Sequence, residues 1–246
     1  MRLMLPMNIM KSQITRKHHH PHKQMSESFL VAAFLSFSGG LQDVYTYISR
    51  GNVFANAQTG NIVLLSKNLF ERNWHLAVHY FIPVLFFSLG VAVAERIRQS
   101  FQNTQRIHWR QLVLIIEILL LLAVGFMPEK WNLTANALVS FSCAMQVQAF
   151  RKVNSYAFAS TMCIGNLRSG MEALCAYQTT GNKKILYKAF HYFGVILLFA
   201  SGAGIGSHFV PAFGIRTIWI SCICLSIAFL FMFIKEEYED KAKQYQ

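Results

Sequence analysis

Six long apolar runs, broken by short polar or charged stretches, set the rhythm of the chain: 28–48, 76–94, 112–127, 133–150, 189–210 and 215–234. Several approach or exceed the ~18 apolar residues that serve as a threshold for a membrane-crossing helix. Two further stretches, 53–70 and 157–176, are weaker. The first reads VFANAQTGNIVLL from Val53 to Leu65 and carries Asn56, Gln58, Thr59, Gly60 and Asn61 at its centre. Neither a lipid-facing span nor a core helix favours those residues. Each weak stretch either crosses the membrane or dips in and returns.

Charge placement separates these alternatives. If the weak stretches do not cross and the N-terminus is cytoplasmic, 18 Lys and Arg fall on the cytoplasmic side and 5 on the outer side. If both cross, the 96–110 loop and the Arg151–Lys152 pair move outside and the bias shrinks. The positive-inside rule therefore predicts six crossings with both termini cytoplasmic, over eight, or seven if one stretch crosses.

Composition agrees. Of 246 residues 54% are hydrophobic and 14% charged, with a mean hydropathy of +0.33. A soluble domain carries about a quarter charged residues. The formal charge of +12 follows from basic loops with few acids to balance them. No basic stripe interleaved with aromatics occurs on a polar segment, which sets nucleic acid aside. The five cysteines form no C-x-x-C pair and lie in or beside apolar segments, as buried small hydrophobes do. The leader, residues 1–27, is basic and holds KHHHPHK from Lys17 to Lys23; it reads as a disordered tail rather than a metal site or a signal peptide, and Met25 is a second candidate start. The predicted organisation is this tail, one all-α membrane domain over 28–235, and a charged cytoplasmic tail over 236–246.

The domain contains a faint repeat. At a shift of 105 residues Asp43 falls on Gln148, Tyr45 on Phe150, Gly60 on Gly165 and Asn61 on Asn166. At a shift of 112, FSLGVAVA (87–94) falls on FASGAGIG (199–206). With three spans per copy, 28–127 and 133–234 would be inverted repeats. Such architectures place a binding site where the copies meet, lined by interrupted helices. Gln-Thr-Gly-Asn at 58–61 and Cys-Ile-Gly-Asn at 163–166 are a matched pair of interruptions. Broken backbone inside a membrane must be buried in protein or face a watery cavity, because lipid cannot satisfy its N–H and C=O groups. The alternative is an ordinary loop with a turn at Gly-Asn.

The candidate pathway residues are Asp43, Gln58, Thr59, Gly60, Asn61, Gln146, Gln148, Gly165 and Asn166, with Glu117 and Arg168 secondary. Asp43 lies deep in the first run, where a carboxylate is costly and faces a pathway or a partner. The alternative is a hydrated position near Arg50. Glu117 sits within LVLIIEILLLL, with snorkelling toward Arg110 as its bland reading. Arg168 is either an anion ligand or a topogenic charge. No H-E-x-x-H, G-x-S-x-G or P-loop string occurs, so no catalytic residue, metal or cofactor is assigned.

The string GGLQDVYTYISRGNVFANAQTGNIVLL resembles the N-terminal signature of the YoaK family of bacterial multi-pass membrane proteins, a domain of unknown function. Asp43, Tyr45, Gly51, Phe54, Ala55, Asn56, Thr59, Gly60 and Asn61 match it. In the second half CAMQVQAF and ASTMCIGNL stand where the family shows GMQNA-like and TTVMTGTL-like elements, so Gln146 and Gly165 match while Val147 and Ile164 depart. The resemblance covers about 28–235. It implies an integral protein of the bacterial plasma membrane and supplies no activity.

The expectation is a non-enzymatic secondary transporter or permease for a small solute, with Asp43 as proton or cation site. The alternatives are a non-transporting binding or scaffold protein and an intramembrane enzyme. The implied partners are a small-molecule solute and the lipid bilayer, with a homo-oligomer compatible and no nucleic acid.

Overall fold

The computed structural model describes residues 28–102, 108–153, 156–157 and 160–244. The His-rich leader, 1–27, lies outside the described residues. The apolar runs become helices: α1 (Phe29–Ser49), α3 (Trp74–Phe101), α4 (Trp109–Val124), α5 (Asn132–Ala149), α7 (Lys183–Phe213) and α8 (Ile218–Gln244). Each weak stretch contributes a further helix, α2 (Gln58–Phe70) and α6 (Cys163–Thr180). Single 3₁₀ turns at Glu129–Trp131 and Gly214–Thr217 precede α5 and α8. A two-residue antiparallel ladder, β1 (Lys152–Val153) with β2 (Tyr156–Ala157), follows α5. The regular structure is otherwise helical among the described residues, as the apolar runs predict.

Local chemistry sets the boundaries. Ser28 accepts from Val31 N–H, Asn73 from Leu76 N–H and Asn182 from Lys184 N–H, which caps α1, α3 and α7. Gly181 adopts a left-handed conformation (φ 65°) that closes α6 and turns the chain into α7. Arg72 (φ 59°) does the same between α2 and α3. Two tight antiparallel hairpins result, α2–α3 and α6–α7.

The helices pair in a regular way. α1 packs on α7 and α8, and α5 packs on α3 and α4. α2 lies on α3, α6 on α7, and α4 meets α8. The α1–α7 and α3–α5 pairs run parallel and close. A Cβ at Gly202 would overlap the carbonyl of Phe37, and one at Gly90 would overlap that of Phe141, so only glycine lets these backbones approach.

Burial is unlike that of a soluble bundle. Trp74–Phe101 and Lys183–Met232 (α7, the 3₁₀ turn and most of α8) are long and apolar enough to cross a membrane, with 22% and 39% of their apolar windows buried. Their outward faces carry Phe81, Leu89, Leu197, Ile223 and Leu230, all exposed. α1 and α5 are enclosed by the others and carry the buried polar side chains Ser36, Ser38, Gln42, Asn136, Ser140 and Gln146. α4 has only 16 residues.

α2 does not continue the path of α1. It has 13 residues, about 20 Å at 1.5 Å each, well short of a ~30 Å hydrocarbon core. His79 Nε2 lies 2.8 Å from Gly51 O, so α3 begins beside the end of α1. The chain leaves α1, runs back alongside it, and returns through α2 to the end it left.

Candidate functional site

The returning segment between α1 and α2 is buried at Val53 and Ala55. It has no helical hydrogen bonds, so side chains must satisfy it. Asn61 does most of this. Its Oδ1 accepts from Phe54 N–H at 3.1 Å, and its Nδ2 donates to Phe54 O at 2.7 Å and to Gln58 Oε1 at 2.9 Å. Gln58 Nε2 in turn donates to Ala55 O at 2.8 Å. Asp43, 7% exposed, accepts from Asn56 N–H at 2.7 Å and lies 3.5 Å from Asn56 Nδ2, with the N–H groups of Ala55 and Ala57 close enough to favour its carboxylate. A carboxylate thus stands at the N-terminus of α2, where the helix dipole favours it. Asn56 Nδ2 donates to Gly39 O at 3.2 Å. Gly39 lies ten residues before the end of α1, about 15 Å, or half a hydrocarbon core.

A matching segment arrives from the other half. Ser160 and Thr161 are buried, and Ser160 Oγ accepts from Gln146 Nε2 at 2.8 Å. The Thr161 methyl presses on Gly39, so close that a Cβ there would overlap it. α6 starts two residues later, and its fourth residue, Asn166, is 3% exposed, as Asn61, the fourth of α2, is 0% exposed. The two interruptions therefore meet at the same glycine of α1.

Beside this junction a second polar chain runs through the bundle. Gln42 Nε2 donates to Ser38 Oγ at 2.9 Å and to Glu117 Oε1 at 3.4 Å. Cys143 Sγ donates to Gln42 Oε1 at 2.7 Å. Cys143 lies within electrostatic reach of both Glu117 and Asp43. Glu117 is fully buried, and its Oε2 has no partner among the described residues. It points at α1 rather than toward Arg110, which instead donates to Ala149 O.

The remaining predicted residues are distributed differently. Thr59 is exposed, Gly60 packs under the Phe54 ring, and Gly165 is exposed with open space around it. Gln148 is not in the junction; it sits at the end of α5 and donates to Glu95 Oε2 at 2.7 Å. Arg168 is exposed and pairs with Glu172 at 2.8 Å, near the level where Gly170 meets Tyr192 and Phe193. All five thiols are free: Cys143, Cys222 and Cys224 are buried, while Cys175 is exposed.

Three residues escaped sequence reasoning. Gln42 sits beside the more conspicuous Asp43. Its signal was the string SFSGGLQ at 36–42, which recurs as SFSCAMQ at 140–146, a shift of 104 rather than 105. Asn56 was read as a helix breaker rather than a partner of Asp43. Arg50 was counted as a loop charge. It is fully buried, and its guanidinium donates to Tyr45 Oη (2.8 Å), Val124 O (2.9 Å), Met127 O (2.9 Å) and Asn132 Oδ1 (3.0 Å). It caps the C-terminal end of α4, where a cation suits the helix dipole. No pattern in the sequence distinguishes it from a surface arginine.

Outward apolar faces around an enclosed polar centre, with broken helices meeting inside, define a polytopic helical membrane protein. The chain belongs to the family described as Protein of unknown function (DUF1275), whose model matches residues 31–231. It is similar to the UPF0700 transmembrane protein YoaK of Bacillus subtilis (strain 168), with 24% identity over 202 residues that cover 78% of this chain and 88% of that protein. No solved structure matches.

Proposed function

We propose that this protein is a secondary transporter or permease for a small solute in the bacterial plasma membrane, moving its substrate without transforming it. The observation that carries the reading is the meeting of two interrupted segments, one from each half, at Gly39. Irregular backbone at that depth is tolerated only where protein or a water-filled cavity surrounds it, and transporters use such breaks as binding elements.

The architecture in this reading is six crossing helices, α1, α3, α4, α5, α7 and α8, with α2 and α6 entering half-way and both termini cytoplasmic. The halves are inverted repeats: α1 to α4 and α5 to α8 make equivalent contacts, α1 on α7 as α5 on α3. The contacts of Gly202 with Phe37 and of Gly90 with Phe141 support a register of 104 between α1 and α5. Gln42 then corresponds to Gln146, and Asp43 to Val147. Asp43, Gln58, Asn61, Gln146 and Asn166 hold or line the junction; Thr59, Gly60, Gly165, Gln148 and Arg168 flank it. Alternating access rocks the α3–α5 unit against the α1–α7 unit, about the axis where α4 meets α8.

The test is direct. The purified full chain is screened by thermal shift against amino acids, sugars, nucleosides, amines and inorganic ions, and hits are assayed for uptake into proteoliposomes. Uptake lost in Asp43→Asn and Asn61→Ala variants that remain monodisperse supports the reading. Binding without uptake of any hit favours a binding or scaffold protein instead.

A further inference from the structure

Several buried polar oxygens of the bundle lack a partner. Among the described residues, the buried side-chain atoms without a partner are Ser36 Oγ, Asn56 Oδ1, Glu117 Oε2, Asn136 Oδ1, Ser140 Oγ and Gln146 Oε1, all of them oxygens. The buried charged residues are Asp43, Glu117 and Arg50. Arg50 does not offset the carboxylates. Its donors are engaged by the end of α4, and Val124 lies seven residues, about 10 Å, beyond Glu117. Asp43 is engaged by the N–H of Asn56 at 2.7 Å. Glu117 has one weak donor in Gln42 and one free oxygen. The titratable groups within electrostatic reach of it are Cys143 from α5 and Cys222 from α8, with Asp43 beyond Cys143 on α1; none is a cation.

A buried carboxylate with no cation is expensive, whereas the neutral acid is not. A carboxylate oxygen such as Glu117 Oε2 and carboxamide oxygens such as Asn56 Oδ1 and Gln146 Oε1 accept only, and so suit a cation rather than an anion. We propose that the solute is a small monovalent cation, exchanged for a proton carried on Glu117. This rests on the transporter reading above. In the closed state Oε2 carries the proton. When the site opens and a cation enters, that proton leaves Oε2 for water on the open side. The carboxylate left behind, beside Gln42, holds the cation. One positive charge replaces another, so the buried site is never left with an uncompensated charge. Asp43 is a positioning residue that fixes the 53–57 segment, and Glu117 is the exchanging group.

Two measurements on the full chain test this. Infrared difference spectra in nanodiscs at neutral pH should show a protonated-carboxyl C=O band that Glu117→Gln removes. In pyranine-loaded proteoliposomes, an imposed gradient of Na⁺, K⁺ or ethylammonium should drive a pH change that Glu117→Gln abolishes and Glu117→Asp retains in part. Absence of the band, or equal flux in Glu117→Gln, overturns the assignment. Flux driven only by neutral or anionic solutes overturns the cation while the transporter reading stands. No flux with any solute, from folded protein, sinks both.

Discussion

Asn61 grips both backbone groups of Phe54, accepting from its N–H at 3.1 Å and donating to its C=O at 2.7 Å. The side-chain amide acts as a surrogate peptide, pairing with the extended segment as a neighbouring strand would. Asn61→Ala leaves a buried N–H and C=O unsatisfied, at about 1–3 kcal/mol each. Asn61→Asp keeps the acceptor for Phe54 N–H but loses the donor to Phe54 O and Gln58. Thermal unfolding in detergent is expected to rank wild type above Asn61→Asp, because the aspartate cannot donate. An unchanged melting temperature in both variants contradicts this role.

Arg50 ties α1 to α4 and α5. Its guanidinium reaches Val124 O and Met127 O, and Asn136 Nδ2 donates to Arg50 O at 2.7 Å. Removing the cation strands several acceptors at once. Arg50→Met is expected to destabilise by about 3 kcal/mol or more, whereas Arg50→Lys, a point charge with three donors, recovers only part. Surface arginines such as Arg72 should be neutral to the same change. Melting of the three variants side by side checks this.

His108 gives the fold a pH dependence outside the membrane-spanning segments. Its Nδ1 accepts from Arg110 N–H at 3.3 Å at the start of α4. Burial, and secondarily the Arg110 charge, lower it from 6.5 to about 4. The folded value lies below the unfolded one, so the neutral ring contributes stability that is full above pH 6.5. That contribution is lost as pH falls toward 4. Melting temperature should decline across that window, and His108→Asn, which keeps a capping acceptor, should flatten the decline.

The helices were legible because lipid-facing faces demand long apolar runs, and those runs are what a sequence shows most plainly. The two breaks were legible only to within a few residues: Gly60–Asn61 and Gly165–Asn166 do not interrupt a helix but lie in the first turns of α2 and α6, and the irregular backbone precedes them. What could not be read was which polar residues meet. Asp43 ranked ahead of Glu117, yet nothing in the sequence showed what faces either carboxylate. The first is enclosed by amides of 55–57 and the second faces a single glutamine, a difference set by three helices distant in sequence. Arg50 was hidden because a loop and a buried helix end look alike when the partners are carbonyls. The proposed repeat aligns Gly60 with Gly165 at a shift of 105, whereas the contacts of Gly90 with Phe141 and of Gly202 with Phe37 relate α1 to α5 at 104.

The account depends on the segments before α2 and α6 both reaching Gly39 in the middle of α1. A Cβ built on Gly39 lies 3.5 Å from Thr161 Cβ, within the Cβ–Cβ range of a disulfide. The decisive measurement is oxidative crosslinking of Gly39→Cys with Thr161→Cys in full-length protein whose five native cysteines are replaced. The account predicts that the pair closes in the native membrane and resists labelling by an impermeant maleimide. Two thiols that stay reduced, with either one labelled from the aqueous phase, would contradict it.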